Sequence, residues 1–387
     1  MKIGLLGPAE PFRGGIAQFL HNMADALNQR DDVEVYVLNF IKQYPTLFFP
    51  GKEQTIVSRE RIYPFRKNTY PIFRVLTPYN PFTWKKGVES ILKLDLDHLI
   101  IKFWIPFFCP AYTYIIDYIK KHSKTKIHVL AHNLDFHERW LFSDILTKRM
   151  MKNADSIIVL SENVEKSAER WRGQKRIIKL FHPLYTVPTE VAELASVQTY
   201  KKKSVLFLGF IKHYKGLDVL LRAIPLVYQE NSDIEFIIAG EVYGSARKYH
   251  KIIKSFNSKY KIIFDNKFIT TEEMPEYFSK ADVLVAPYRT ATQSGIIQLA
   301  YSFLKPVIAS DIAGLREMVK DKKTGLLFEN ENSEDLAKKI IEFYDLREKN
   351  DFTSEIIEYN KDFTWDRFVE EMINKNAECR NISRKKT

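Results

Sequence analysis

Apolar residues in this chain fall into short runs of strand length, separated by stretches with helical spacing. In the first half, Lys2–Gly7, Val33–Phe40, Leu99–Ile105, Ile127–Ala131 and Ser156–Leu160 read as strands. Ile16–Leu27, Ala111–Lys121, Leu141–Asn153 and Asn163–Trp171 read as helices. Strands that alternate with helices predict a parallel, doubly wound sheet.

Pro183, Pro188 and the polar run Thr199–Ser204 read as a linker, after which the pattern restarts. Val205–Gly209, Glu235–Ala239, Ile262–Phe264, Asp282–Pro287, Lys305–Ala309 and Gly325–Phe328 are the next strands. Gly216–Gln229, Ala246–Asn257, Glu272–Ser279, Ile296–Phe303 and Ser333–Tyr344 are the helices between and after them. The fold class is α/β, with two doubly wound Rossmann-like domains facing a cleft. Residues 1–185 form the first domain, 186–203 the linker and 204–362 the second domain. Residues 363–387 hold an amphipathic helix, Trp365–Asn376, and a basic tail. In open α/β sheets ligands bind outside the carboxyl ends of the strands, which here line the cleft.

Composition narrows the class. Of 387 residues 45% are hydrophobic and 28% charged, values of a globular protein with ample core. Cys109 and Cys379 lie far apart and match no metal spacing, which points to a reducing compartment. The start MKIGLLG runs straight into a strand and reads as no signal peptide. The run Phe103–Ile116 is interrupted by Pro106 and Pro110 and is shorter than the ~20 residues a spanning helix needs. The expected location is cytoplasmic, with a peripheral position at the inner face of a membrane as its extension. Net charge is +11, and Lys42–Lys86 interleaves basic residues with aromatics. That stretch suits either a solvated loop over a core or an anionic membrane surface. The segment Phe103–Tyr114 suits either buried core or a lipid-linked glycan. No nucleic-acid module is present.

The most informative block is Ala281–Glu317, a strand, polar loop, helix and strand in order. Thr292, Gln293, Ser294, Gly295 and Ile296 sit where a helix N-terminus presents free N–H groups, which is an anion site. With Ser294-Gly295 and Lys305-Pro306-Val307-Ile308, this block resembles the donor-sugar motif of the retaining family-four glycosyltransferases, which have the GT-B fold. It comes from a branch without the usual paired glutamates, whose places fall at or beside Thr292 and near Leu299 or Ala300. Their loss puts the usual sugar-hydroxyl and ribose contacts in question but leaves a phosphate contact made by backbone N–H groups.

The same resemblance raises other candidates. Gly14 and Gly15 lie between the first strand and helix, where glycine lets backbone approach a ligand. Their spacing is not that of a dinucleotide fingerprint. Lys212 and Lys215 follow the first strand of the second domain and are poised to neutralise a diphosphate. Lys215 matches the family's motif lysine, while Phe210 replaces its usual arginine. His132 ends a strand and is expected to face the cleft, as a sugar- or phosphate-contacting residue by resemblance. His137 and Glu138 are weaker candidates on the same loop. Glu241 follows a strand and suits a hydroxyl, Glu317 lies in a turn where the family carries a glutamate, and Phe268 is near the expected base site.

The resemblance implies transfer of a sugar from a nucleotide-sugar to a glycan or lipid-linked acceptor, with retention of anomeric configuration. It implies a hexosyltransferase-type enzyme of cell-surface polysaccharide synthesis, with no metal and no cofactor. His132, Lys212 and Lys215 are its catalytic candidates. A GT-B nucleotide-sugar epimerase is a second enzyme reading. Loss of both motif glutamates also admits a degenerate, non-catalytic subunit that binds a ligand or partner.

Overall fold

The computed structural model describes residues 1–45, 55, 70–134, 142–173, 175–187, 203–256 and 258–383, the last of these without side chains beyond 375. The chain divides into two compact units. Among the described residues the first unit runs to Pro183 and includes the final helix from Trp365, and the second spans Leu184–Thr364.

The first unit holds seven parallel strands in the order β3-β2-β1-β4-β5-β6-β7. They are β1 (Lys2–Leu6), β2 (Glu34–Phe40), β3 (Ile72–Leu76), β4 (His98–Phe103), β5 (Lys126–Ala131), β6 (Ser156–Val159) and β7 (Arg176–Lys179). Its helices are α1 (Gly15–Asn28), α2 (Trp84–Leu92), α3 (Cys109–His122), α4 (Ser143–Met151), α5 (Glu162–Ala168) and the last helix of the chain. Alternate strand residues face opposite ways, and the core divides accordingly. Ile3, Leu5, Val35, Val37, Ile100 and Leu130 pack with Phe19, Leu20 and Met23 of α1 and with Phe368, Val369 and Met372 of the last helix. Leu6, Leu38, Leu99, Ile101, Ile127 and Val129 pack on the other face with α2, α3 and α4 residues such as Val88, Tyr112 and Met150.

The second unit holds six parallel strands in the order β10-β9-β8-β11-β12-β13. These are β8 (Ser204–Leu208), β9 (Glu235–Ala239), β10 (Ile262–Asp265), β11 (Val283–Ala286), β12 (Val307–Ser310) and β13 (Gly325–Phe328). Its helices are α6 (Leu217–Glu230), α7 (Arg247–Ser255), α8 (Met274–Lys280), α9 (Gly295–Ser302), α10 (Ala313–Arg316), α11 (Ser333–Leu346) and α12 (Phe352–Lys361). The last helix of the chain, α13 (Trp365–Ser383), belongs to the first unit. In each sheet the winding reverses beside the first strand, between β1 and β4 and between β8 and β11. Such a reversal is the switch point where doubly wound sheets bind ligands.

Five elements escape the hydrophobic pattern, the short helices α10 and α12 among them. β3 is an edge strand whose Phe73 and Arg74 are exposed, so its apolar run is broken. α2 contains Gly87, which reads as a helix breaker. A Cβ there would come within 2.6 Å of the Val75 carbonyl oxygen, so glycine lets the helix lie close on β3. β7 is a short strand at the other edge. Lys42–Lys86 is therefore not one loop, although most of 46–69 lies outside the described residues, as does most of the linker 186–203. Phe103, Phe108, Cys109, Ala111 and Tyr112 are wholly buried, so the core of that segment is not open to a lipid-linked glycan.

Candidate functional site

The site in the second unit is built where β8 and β9 end. Gly209 and Gly240 have φ of +114° and +151°, and a Cβ on Gly240 would lie 1.9 Å from the Gly209 carbonyl oxygen. The two loops then run as a pair. The Ile211 N–H donates to the Glu241 carbonyl at 2.9 Å, and the Tyr243 N–H to the Ile211 carbonyl at 3.0 Å. This pairing buries Glu241 and gathers three half-buried aromatic rings above the strand ends. Phe210 lies 4.8 Å from Tyr243 and stacks on Phe268 at 5.7 Å. Phe210, which stands where the family carries arginine, thus meets the residue expected near the base. Lys212 Nζ lies 5.1 Å from the Tyr243 ring centre.

Lys215 sits on the next turn, closed by its N–H donating to the Lys212 carbonyl at 3.0 Å. Gly216 ends the turn at φ +67°, pressed against the end of β11. Lys215 Nζ lies 3.7 Å from the centre of the Tyr288 ring and 5.4 Å from that of Tyr214. Its side chain is half-buried. Desolvation, helped by repulsion from Lys212, draws its pKa down from 10.5 to about 7. Among the described residues the ammonium has no carboxylate or carbonyl partner, so the positive charge is stored without a counter-ion.

Sequence reasoning missed what holds this turn. Arg289, placed in a polar loop by the pattern, donates to both carboxylate oxygens of Asp218 and to the His213 carbonyl at 2.8 Å. Its own N–H donates to the Tyr214 carbonyl at 2.8 Å. Arg289 and Arg222 hold the Asp218 carboxylate far below its usual range against the opposing effect of burial. A bidentate pair flanked by turn residues is a recognisable geometry only after folding.

The loop 291–296 packs under the same tyrosine. Ser294 is buried, and its hydroxyl lies 3.4 Å from the Tyr288 hydroxyl. Tyr288 therefore touches both the Lys215 ammonium and the N-cap of α9. The Ser294 N–H is engaged by the Met318 sulfur at 3.3 Å, which corrects the expectation that it faces an anion. The first-turn N–H groups of Gly295 and Ile296 lack intrahelical acceptors by helix geometry. Gly295 faces Tyr185, whose hydroxyl would be 2.6 Å from an added Cβ. Thr292 lies against Gly314, whose added Cβ would meet its carbonyl oxygen at 2.6 Å. Glu317 caps α10 beside Met318 and so joins this group, with Gln293 on the same loop.

The other candidates lie in the first unit. Gly14, at φ +106°, caps α1, and its carbonyl accepts from the N–H groups of Ala17 and Gln18 at 3.1 Å, with Gly15 exposed beside it. His132 follows β5, but its ring is buried rather than open. It meets Phe19 edge-on at 4.7 Å, and Phe19 also meets His182 at 5.2 Å. Burial, with Lys102 and His182 nearby, holds His132 well below the usual histidine range. Lys102 is fully buried over the Phe19 ring at 3.6 Å, and its amine has no hydrogen-bond partner among the described residues. His137 and Glu138 lie outside the described residues. Among the described residues no group of three or more His, Cys, Asp or Glu side chains is placed to hold a metal ion.

Residues 202–345, most of the second unit that carries this site, match the family model described as Glycosyl transferases group 1. Over these residues the second unit is similar to the group 1 glycosyltransferases. An uncharacterized glycosyltransferase of Methanocaldococcus jannaschii is 31% identical over 169 residues, 42% of this chain and 45% of that protein. Spore coat protein SA of Bacillus subtilis is 23% identical over 51% of this chain and 55% of its own length. The chain thus spans about half the length of the curated relatives it matches. Among solved structures, sucrose-phosphate synthase of Thermosynechococcus elongatus is similar at a TM-score of 0.72 and 17% identity, covering 98% of this chain and 99% of that one. Anabaena HepE, solved in complex with UDP and glucose, is similar at 0.72 and 15% identity over 97% of this chain and 99% of its own. These likenesses establish the fold: two parallel-sheet, Rossmann-like domains of the GT-B glycosyltransferases. No helix among the described residues is long and apolar enough to cross a membrane.

Proposed function

We propose that this chain is a retaining glycosyltransferase of the hexosyltransferase type that moves a sugar from a nucleotide-sugar to a glycan or lipid-linked acceptor. The observation that carries the reading is the Lys215 ammonium. It lies over the ring of Tyr288, has no counter-ion among the described residues, and shares that tyrosine with the N-terminus of α9. A half-buried, partly desolvated cation without an anion is costly unless a ligand supplies the anion. A nucleotide diphosphate does so, and HepE in complex with UDP-glucose is a protein of the same fold that takes one.

The chemistry follows from charge. Cleaving the sugar–phosphate bond builds negative charge on the departing diphosphate and positive charge on the anomeric carbon. Lys215 and Lys212, with the N–H groups of Gly295 and Ile296, are preorganised positive potential for the phosphate oxygens. The base rests against the ring group Phe210, Tyr243 and Phe268, and Glu241, Thr292, Gln293 and Glu317 serve the sugar and ribose hydroxyls. The departing phosphate takes the acceptor's proton, which gives retention without a strong protein base. Gly14 and Gly15 serve the donor phosphate and sugar, His132 is the third catalytic candidate as a sugar or phosphate contact, and no metal enters the scheme. The setting is the cytoplasmic side of cell-surface polysaccharide synthesis.

Calorimetric titration with UDP, GDP, ADP and CMP, wild type beside Lys215→Ala, tests the reading. Binding of one nucleotide that weakens at least tenfold in the variant supports it. Equal binding by both proteins, or none by either, overturns it.

A further inference from the structure

The most exposed large apolar side chains of the described chain are gathered on one edge of the first unit. Phe82 is 96% exposed, Phe142 68% and Ile145 65%. Phe82 lies just before α2, and Phe142 and Ile145 lie at the start of α4. The helix between them, α3, packs against both α2 and α4. All three helices cross back from strand ends of one parallel sheet, so their N-termini share the edge formed by the carboxyl ends of the strands.

Phe82 is displayed on a rigid support. Its N–H donates to Asn80 Oδ1 at 3.2 Å, and the Thr83 hydroxyl donates to the Asn80 carbonyl at 2.8 Å. The Trp84 indole N–H donates to the Thr77 carbonyl at 3.2 Å, and the ring packs 5.8 Å from Tyr114 of α3. Phe142 is held outward at φ +67°, a left-handed conformation that non-glycine residues adopt at a cost. Ordered turns that expose aromatic rings are unlike the scattered surface leucines of an ordinary monomer.

Cations accompany the rings. Lys85 and Lys86 follow Phe82, and Lys148 and Lys152 follow Ile145; all four are exposed and none has an ion-pair partner among the described residues. The exposed acids on these two helices are Glu89 and Asp144. Apolar rings at the helix tips with free lysines behind them match the layered chemistry of an anionic bilayer, acyl chains below phosphate headgroups.

We propose that this edge of the first unit, with Phe82, Phe142 and Ile145 inserting and Lys85, Lys86, Lys148 and Lys152 on the headgroups, docks on an anionic membrane surface. The surface lies wholly within the first unit, so the proposal stands or falls apart from the nucleotide site. The experiment is co-sedimentation of the full chain with vesicles of phosphatidylcholine alone and of phosphatidylcholine with phosphatidylglycerol. Wild type binds the anionic vesicles at low salt and is released at high salt. Phe82→Ser with Phe142→Ser lowers the partition coefficient about tenfold or more, since each ring loses its apolar burial. Lys85→Glu with Lys86→Glu lowers it about as much on anionic vesicles, each cation being worth roughly tenfold or less. Both variants keep the wild-type melting temperature and nucleotide titration, which shows that they fold. Wild-type protein that stays in the supernatant, or variants that bind as wild type does, overturn the proposal. So does a concentration-dependent dimer in light scattering that the Phe82→Ser, Phe142→Ser variant loses without any vesicle binding, because the occupant is then a second copy.

Discussion

Arg289 donates to Asp218 twice, from Nη1 at 3.0 Å and from Nη2 at 2.7 Å, and both side chains are mostly buried. The pair joins the loop after β11 to the start of α6 and, through the His213 and Tyr214 carbonyls, braces the turn that carries Lys215. Arg289→Ala leaves Asp218 with only its exposed partner Arg222 and removes the side-chain bond to the His213 carbonyl, while the backbone bond to the Tyr214 carbonyl stays. We expect a loss of about 3 kcal/mol in urea denaturation and weaker nucleotide binding by calorimetry. Arg289→Lys recovers charge but not the fork, so it restores only part of both. Wild-type stability in Arg289→Ala would sink this account of the turn.

Gly216 is fitted to its place by two independent constraints. Its φ is +67°, and a Cβ there would lie 1.8 Å from the Pro287 carbonyl oxygen. Gly244 has a positive φ too, +98°, but open space where a Cβ would go. Gly244→Ala therefore bears conformational strain alone, roughly 1–2 kcal/mol. Gly216→Ala also forces the turn off β11, and its melting temperature falls well below that of Gly244→Ala. Equal melting temperatures would mean that the contact with Pro287 carries no weight.

The titration of Lys215 gives nucleotide binding a pH dependence. With the site empty the amine loses its proton near pH 7, and a diphosphate favours the charged form. Affinity is highest below that value and declines as pH rises above it. In Lys215→Arg the guanidinium stays charged, so the decline between neutral pH and pH ~9 disappears. Calorimetry across that range reads the difference directly.

Lys102 is buried over Phe19 with no hydrogen-bond partner among the described residues, and burial holds its pKa well below the usual lysine value. The folded state binds this proton less tightly than the unfolded chain does. The group therefore destabilises the fold at neutral pH, and less so as pH rises toward the unfolded value of 10.5. Lys102→Met keeps the apolar stem and removes the amine. It should raise stability at neutral pH by roughly 1–3 kcal/mol and flatten the rise at alkaline pH. A destabilised Lys102→Met would show that the amine has a polar role.

Acid sensitivity has a named source in the first unit. His128 is drawn down to about 3 and His182 to about 4, both chiefly by burial. His128 Nε2 lies 2.8 Å from His98 Nδ1, and its Nδ1 lies 2.7 Å from the Ser156 hydroxyl, at the amino ends of β4, β5 and β6. The unfolded chain takes up these protons near pH 6.5 and the folded chain does not. Stability should fall as pH drops from 6.5 toward 3, and His128→Gln should soften that fall in melting curves. An unchanged slope in the variant would place the acid sensitivity elsewhere.

Much of the architecture was legible because its signals are local. The runs that form β1, β5, β8, β9 and β12 are apolar and follow one another with helices between, which is enough for a doubly wound sheet. Lys215-Gly216 and Ser294-Gly295 were legible as motif pieces at strand ends. β3 and α2 were not, because one is an exposed edge and the other carries a glycine whose reason is the Val75 backbone. Arg289 read as a loop residue because its partner Asp218 is 71 positions away.

By itself, the sequence determined most of the succession of strands and helices, the positions of the glycines at strand ends and the surplus of positive charge. Periodicity, turn chemistry and composition are written in neighbouring residues. Only the tertiary structure decided that His132 is buried against Phe19, that the Ser294 N–H goes to Met318, and that Lys215 has no anion beside it among the described residues and a pKa near 7. Those properties depend on desolvation and on contacts between distant segments, and no stretch of chain carries them until the sheet has brought its strand ends together.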